Sequence, residues 1–256
     1  MRLTVLGGSA ASPNTGAGCS GYLIEAGETR VWLDPGPGTL QELRRHTDFR
    51  TLDAVIVSHM HLDHCLDLLA LRHALAYNPI SAPRAVPVWL PPGGADFLAR
   101  AIAPFDECDD PGRFERTVIL QEYDPANALT IGALTVAFAR TVHYLPTWAI
   151  RFLEPGGHSL GYTADTGPAA DLSDFFAGVD LLLAEATLPE STTVEPQHRG
   201  SLTATEAAAL ATASNSGKLV LTHFWEEHDP ESQLSAARSV FTGPIQLAVK
   251  GITISW

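Results

Sequence analysis

The sequence predicts an α/β (α+β) fold in one domain over residues 1–256, and three observations predict it. Short runs rich in β-branched and aliphatic residues alternate with segments of helical period along the chain, and nearly every run is bounded by Gly, Pro or Asp. At 256 residues and 45% apolar content the chain can bury a sizeable core. No repeat, linker or low-complexity stretch divides it.

The opening reads as strands at 3–6, 22–25 and 31–33, separated by the glycine-rich loop 7–21 and turned by Pro35-Gly36-Pro37-Gly38. Leu40 and Leu43 then mark a helix. Residues 54–57, all apolar, form a buried strand ending at Ser58, and Leu66, Leu69, Ala70, His73 and Ala74 keep helical spacing beyond it. A strand at 86–90 and a helix through 97–102 follow. In the second half, strands are expected at 134–139, 148–152, 160–163 and 181–183. Thr203 with Glu206 three residues on predicts a capping box that opens an alanine-rich helix to Ala213. Residues 219–221 are a strand, and 245–249 with 252–256 close the chain.

The formal charge of −13 and the presence of only two lysines, Lys218 and Lys250, disfavour large nucleic acids as partners, because phosphate-backbone binding needs cation-rich surfaces. Bound divalent ions reverse that sign locally, so a small anionic substrate remains compatible with an acidic chain. No apolar stretch is long enough to span a membrane, and Met1 to Gly7 runs into a strand pattern without a secretory h-region, so a cytoplasmic protein is expected. The three cysteines, Cys19, Cys65 and Cys108, are odd in number and widely spaced, which points away from disulfides and thiolate metal sites. A homodimer is the default for the oligomeric state.

The chemistry concentrates in Ser58-His59-Met60-His61-Leu62-Asp63-His64 at a strand's end. His59 and His61 share a face of an extended backbone, and Asp63 and His64 follow as the chain turns into a helix. Four ligand-type side chains thus meet in one small volume. Imidazole and carboxylate without thiolate suit zinc first, with manganese or iron as alternatives, and four ligands this close are too many for one ion with an open position. Two divalent metal ions are expected.

This HxHxDH run resembles the signature of the metallo-β-lactamase superfamily, and the resemblance extends over nearly the whole chain. Thr141-Val142-His143 is similar to the family's third histidine, the stretch Gly161-Tyr162-Thr163-Ala164-Asp165-Thr166-Gly167 to its bridging-aspartate turn, and Leu219-Val220-Leu221-Thr222-His223 to its final histidine. The resemblance implies a four-layer αββα sandwich. It also implies one metal on His59, His61 and His143, a second on Asp63, His64 and His223, and Asp165 between them. Two ions about 3.5–4 Å apart acidify water and hold attacking and leaving oxygens in line, which suits hydrolysis of a phosphodiester.

Within the superfamily, the opening around Leu6-Gly7-Gly8-Ser9 and the string Leu183-Ala184-Glu185-Ala186-Thr187 resemble the ribonuclease Z and cyclic-nucleotide phosphodiesterase branch. By that resemblance Glu185 orients a catalytic residue, while Ala184 departs from the branch's histidine. Ser201 stands where the branch places a histidine that protonates the leaving oxygen, and His198, three residues upstream, is taken as the general acid. Asp63, Glu185 and His198 are therefore the catalytic candidates. Only about twenty residues separate His143 from Asp165, leaving no room for the branch's tRNA-grasping arm. A small phosphodiester such as a cyclic nucleotide is the expected substrate, with tRNA 3′ processing second. A lactone or thioester hydrolase on the same metals, and an inactive metal-binding protein, are the further alternatives.

Other residues carry smaller expectations. Asp34 is expected to orient a ligand histidine, and Asp67 to do likewise or to face solvent. His73 reads as a core histidine, His46, His158 and His228 as surface residues, and Cys65 as a small buried thiol. The loop 7–16 lacks the ending of a nucleotide P-loop and reads as structural. Tyr144, Trp148, Phe224 and Trp225 offer either a base-stacking wall or core packing.

Overall fold

The computed structural model describes residues 1–106 and 116–256; Cys108 lies outside them. The first half contributes β1 (Arg2–Gly7), β2 (Gly21–Ala26), β3 (Thr29–Leu33), α1 (Thr39–His46), β4 (Ala54–Ile56), α2 (Leu62–Cys65), α3 (Asp67–Tyr77), β5 (Val86–Leu90), α4 (Gly94–Asp106) and β6 (Val118–Glu122). The second contributes β7 (Leu129–Ile131), β8 (Leu134–Arg140), β9 (Trp148–Leu153), β10 (Ser159–Tyr162), β11 (Leu181–Glu185), α5 (Ala204–Ala213), β12 (Leu219–Thr222), α6 (Pro230–Arg238), β13 (Ile245–Leu247) and β14 (Thr253–Ser255).

Among the described residues these strands make two seven-stranded sheets, in the orders β14-β1-β2-β3-β4-β5-β6 and β13-β12-β11-β10-β9-β8-β7. Both are mixed. Neighbours from β14 to β3 and from β7 to β10 run antiparallel, whereas β3 to β6 and β10 to β13 run parallel. Parallel strands deliver their C-terminal ends to one edge, and the candidate ligands after β4, β10 and β12 follow such ends, while His143 follows β8 in the antiparallel part of the second sheet.

Three buried clusters define four layers. Leu3, Val5, Ile24, Val31 and Ile56 of the first sheet meet Val136, Ile150, Phe152, Leu160, Leu181 and Leu183 of the second. On the first sheet's outer face Leu23, Trp32, Val55 and Val88 pack against Leu43 of α1, Leu71 of α3 and Leu98 of α4. On the second sheet's outer face Leu182, Ala184, Leu219 and Leu221 pack against Ala207, Ala208 and Ala211 of α5 and Leu234 of α6. The αββα sandwich is confirmed. The alanine face of α5 lets that helix lie close on its sheet, and its capping box forms as predicted, with Thr203 accepting from the Glu206 amide and Glu206 from the Thr203 amide.

Several boundaries and faces differ from the sequence reading. The strands β6 and β7 and the helix α6 carried no clear pattern: Ile119 and Leu120 of β6, on the sheet's edge, are exposed, and α6 buries only Gln233, Leu234 and Ala237. α4 is longer than expected, and the strand from 245 stops at Leu247. α3 buries Leu68, Leu71 and Leu75, not the face containing Leu66, Leu69 and His73. Its apolar residues surround the axis, so periodicity alone does not select a face. His73 is consequently exposed, with its ring 4.7 Å from that of Tyr77, and is not a core histidine. Among the described residues no helix is long and apolar enough to cross a membrane.

Candidate metal centre

Each candidate ligand sits where a strand stops. His59 and His61 lie between β4 and α2, Asp63 and His64 within α2, His143 after β8, Asp165 after β10 and His223 directly after β12. The chain turns inward sharply at these ends. Asp34 (φ 48°), Ala164 (φ 49°) and His223 (φ 53°) all occupy the left-handed region. Asp and His tolerate it better than most residues, but Ala164 does not, and such positions cost of order 1–3 kcal/mol each. The turn before Asp165 is held by Thr163 N–H on the Leu183 carbonyl at 3.0 Å and by the Thr141 hydroxyl on the Asp165 carbonyl at 2.9 Å.

The seven side chains form two adjoining groups. His59, His61, His143 and Asp165 make one, Asp63, His64 and His223 the other, with donor atoms in each lying within 4.8 Å of one another. In the first, His61 Nδ1 is 3.0 Å from His59 Nε2 and 3.1 Å from His143 Nε2. Asp165 Oδ2 closes the group at 3.6 Å from His59 Nε2 and 3.5 Å from His143 Nε2. In the second, His223 Nε2 is 3.2 Å from His64 Nε2 and 3.0 Å from Asp63 Oδ2. Asp165 Oδ1 faces this group, 3.3 Å from His64 Nε2.

These separations match the edges that a coordination polyhedron would have. Ligands about 2.0–2.1 Å from a tetrahedral ion stand roughly 3.3 Å apart. Three imidazole nitrogens turned on one point cannot all be satisfied by hydrogen bonds to each other. Asp165 Oδ1 gives the independent test: it is buried and has no hydrogen-bond partner among the described residues. A buried carboxylate oxygen without a donor is costly unless a cation faces it. The donor set fits a divalent metal.

The far side of the rings is equally organised. Asp34, fully buried after β3, accepts from Ser58 N–H at 2.7 Å, from the Ser58 hydroxyl at 2.6 Å, from the Tyr162 hydroxyl at 2.8 Å and from His64 Nδ1 at 2.8 Å. Because Ser58 donates to Asp34, its oxygen accepts from His59 Nδ1 at 3.0 Å. His143 Nδ1 donates to the Gly200 carbonyl at 2.6 Å, and His223 Nδ1 meets the Thr187 hydroxyl at 2.8 Å. In each of these four rings the outer nitrogen thus holds a proton, so the inner one is the atom that would offer its lone pair to a metal.

Electrostatics separate the two groups. Burial, reinforced by the neighbouring His64, drives His59 well below the usual histidine range; burial and His143 lower His61. Burial alone would lower His64 as well, but Asp165, with bonds to Asp34 and Asp63, holds it well above. Burial is likewise outweighed at Asp63 and Asp165, which the facing histidines keep ionised far below the ordinary carboxylate range. Protons on the second group balance these carboxylates, and a bound cation would take their place.

Glu185, the last residue of β11, accepts from Thr166 N–H at 2.6 Å and from the Thr187 hydroxyl at 2.5 Å. It therefore supports His223 through Thr187. Burial, followed by repulsion from Asp165, pushes its carboxyl up from 4.5 to about 8. The unfolded chain ionises this group near 4.5, so between there and about 8 the folded state binds the extra proton and stability falls as pH rises. Glu185→Gln, which cannot titrate, is expected to gain on the wild type in melting temperature across that window in chelator-treated protein. A gap that stays constant from pH 5 to pH 9 would refute this.

Asp34 takes the position expected of it, whereas Asp67 does not. Half-buried Asp67 accepts from the Leu40 amide at 2.8 Å and serves the N-terminus of α1, with no hydrogen bond to a candidate ligand. His46 and His158 are exposed and Cys65 is buried, as expected. His228 is half-buried, with Nδ1 3.1 Å from the Thr187 carbonyl, and is not simply exposed. His198 is exposed in a single 3-10 turn, Pro196–His198, two residues from Gly200. Of the four aromatics, Trp148 is core, Phe224 and Trp225 are half-buried, and Tyr144 is exposed beside His143. The sequence reading missed Ser58, Tyr162, Thr187 and the Gly200 carbonyl as supports of the ligands. Ser58, Tyr162 and Thr187 lay inside the quoted motifs, but a backbone carbonyl carries no sequence signal.

Residues 29–224 match the family model described as the beta-lactamase superfamily domain. An uncharacterized protein of Mycobacterium tuberculosis is 33% identical, over 97% of this chain and 90% of its own. The crystal structure of the metallo-beta-lactamase fold protein YhfI from Bacillus subtilis superposes with a TM-score of 0.85 at 26% identity, covering 99% of each chain. A ribonuclease Z of Bradyrhizobium sp. is 28% identical over 94% of this chain and 95% of its own.

Proposed function

The chain belongs to the β-lactamase superfamily of metallo-hydrolases, and from that premise we propose that it is a two-metal phosphodiesterase acting on small phosphodiesters such as cyclic nucleotides. One observation carries the reading: seven donors divide into two groups, and Asp165 turns one oxygen to each. His59, His61, His143 and Asp165 Oδ2 would hold one ion, and Asp63, His64, His223 and Asp165 Oδ1 the second. Ions bound there, zinc first by donor chemistry and manganese or iron otherwise, would acidify water and offset charge building on the phosphoryl oxygens.

The chain's own residues prepare that chemistry. Asp34, Ser58, Gly200 and Thr187 fix the imidazole tautomers before substrate arrives, so no reorganisation is needed at the moment of reaction. Glu185 holds Thr187 in place, and Asp63 is kept anionic by His223 and His64. His198 is the proposed donor of the proton to the leaving oxygen. Its support is position, since the peptide two residues on holds His143. His198→Ala is expected to lose about 10²–10⁴-fold in turnover of an alkoxide-leaving phosphodiester, with metal content unchanged. Unchanged turnover removes it from the mechanism.

Substrate size is argued from the connection between His143 and Asp165. It consists of the β9 and β10 hairpin and short turns, with no inserted arm to grasp a large polymer. Two lysines in a chain of charge −13 support the same reading. The ribonuclease Z relatives favour one alternative, tRNA 3′ processing. The deciding experiment measures metal per chain and turnover of cyclic nucleotides, bis(p-nitrophenyl) phosphate, acyl esters, lactones and precursor tRNA on one preparation. Phosphodiester turnover with two ions is expected. Cleavage of precursor tRNA at physiological salt, or acyl turnover alone, would replace the proposed substrate class.

A further inference from the structure

We propose that Tyr144 is the seat for the nucleobase of the substrate, a reading that rests on the phosphodiesterase function proposed above. Tyr144 directly follows His143 and, at 73% exposure, is the most exposed large hydrophobic side chain among the described residues. Leu62 at 61% and Val142 at 39%, each next in sequence to a candidate ligand, are exposed as well. Single exposed apolar residues need no explanation, so the case for Tyr144 rests on how its ring is held.

The ring is held, not loose. Its centroid is 5.0 Å from that of His143, and its hydroxyl accepts from the Gly200 N–H at 3.4 Å. A Cβ at Gly200 would come within 2.9 Å of Tyr144 Cε2, 3.0 Å of Cζ and 3.0 Å of His143 Nδ1. The absent side chain at 200 therefore lets the phenol lie on the backbone while the rest of it stays open to solvent. A fixed, half-open aromatic ring next to the place where a phosphate must sit is the arrangement that base stacking requires. The other aromatics near the site do not offer it, since Trp148 is 7% exposed and packs on Tyr123. Phe224 and Trp225 are half-buried. Because every base has a π-face, the seat selects nucleoside-bearing esters over base-free ones with little preference among bases.

The test compares wild type, Tyr144→Ala and Tyr144→Phe on adenosine and cytidine 3′,5′-cyclic phosphates and on ribose 3′,5′-cyclic phosphate, which has no base. Binding of adenosine 5′-monophosphate is measured by calorimetry and metal content is checked for each variant. Tyr144→Ala is expected to raise KM for both nucleotides, and Kd for the monophosphate, by about 5- to 150-fold. It should leave metal content and turnover of the base-free ester nearly unchanged, while Tyr144→Phe, which keeps the ring and loses only the 3.4 Å contact to Gly200, loses far less on the nucleotides than Tyr144→Ala. Equal losses on the base-free ester, or no change on the nucleotides, would overturn the assignment. If the wild type hydrolyses no phosphodiester, the functional reading fails by itself. The seat is then decided by binding alone, where an unchanged Kd in Tyr144→Ala overturns it and a weakened one sustains it.

Discussion

Asp165→Asn is expected to lower metal content below two ions per chain and to reduce phosphodiester turnover by roughly 10³-fold or more, several kcal/mol of transition-state stabilisation. Asp165 turns one carboxylate oxygen to each donor group, with Oδ2 toward His59 and His143 and Oδ1 toward His64. An amide keeps the shape but offers one acceptor, and its NH₂ must face either a ligand nitrogen or the cation. Neither arrangement is favourable. Oδ1 also lies 3.3 Å from His64 Nε2 and 3.6 Å from His223 Nδ1, so a melting curve of the metal-free variant is needed to separate loss of these ion pairs from loss of the ions. Plasma mass spectrometry of the purified variant together with a bis(p-nitrophenyl) phosphate assay gives the answer. A full metal complement with normal turnover would remove Asp165 from the centre.

Asp34→Ala should be the most destabilising substitution around the site. Its carboxylate accepts from four buried donors, Ser58 N–H at 2.7 Å, Ser58 Oγ at 2.6 Å, Tyr162 Oη at 2.8 Å and His64 Nδ1 at 2.8 Å. Truncation leaves all four without their acceptor, in a region too tightly packed for easy rescue by water. Removing one partner from a buried network of this kind costs about 3–5 kcal/mol. The backbone compounds it, since alanine at φ 48° is less well tolerated than aspartate. At about 2–4 °C per kcal/mol for a chain of this length, the melting temperature should fall by roughly 10–15 °C. Asp34→Asn keeps the backbone preference and one acceptor, so its loss should be clearly smaller. Metal affinity at the His64 group should also weaken by about 10–100-fold, because His64 loses the group that fixes its tautomer. An Asp34→Ala protein melting within about 3 °C of wild type would show that Asp34 is dispensable.

The site was more legible than the fold around it. His59, His61, Asp63 and His64 lie within six residues, so their convergence needs only a strand end and a helix start, both visible in the local pattern. His143, Asp165 and His223 are each alone in the sequence, and resemblance to a family placed them where local chemistry had no means to do so. Elements with strong periodicity or caps, such as α5 behind Thr203, appeared where expected. β6, on an edge with Ile119 and Leu120 exposed, and α3, apolar on all sides, did not reveal their buried faces. In both, partners distant in sequence decide what is covered.

By itself the sequence determined the inventory: a set of candidate ligand side chains, nitrogen and oxygen donors throughout, and strands that end where those candidates begin. Only the tertiary structure decided their partnerships. Asp34 and His64, Thr187 and His223, and Gly200 and His143 are separated by 30, 36 and 57 residues. Hydrogen bonds across such separations depend on how two sheets stack and where parallel strands end, a property of packing that no local window of residues contains.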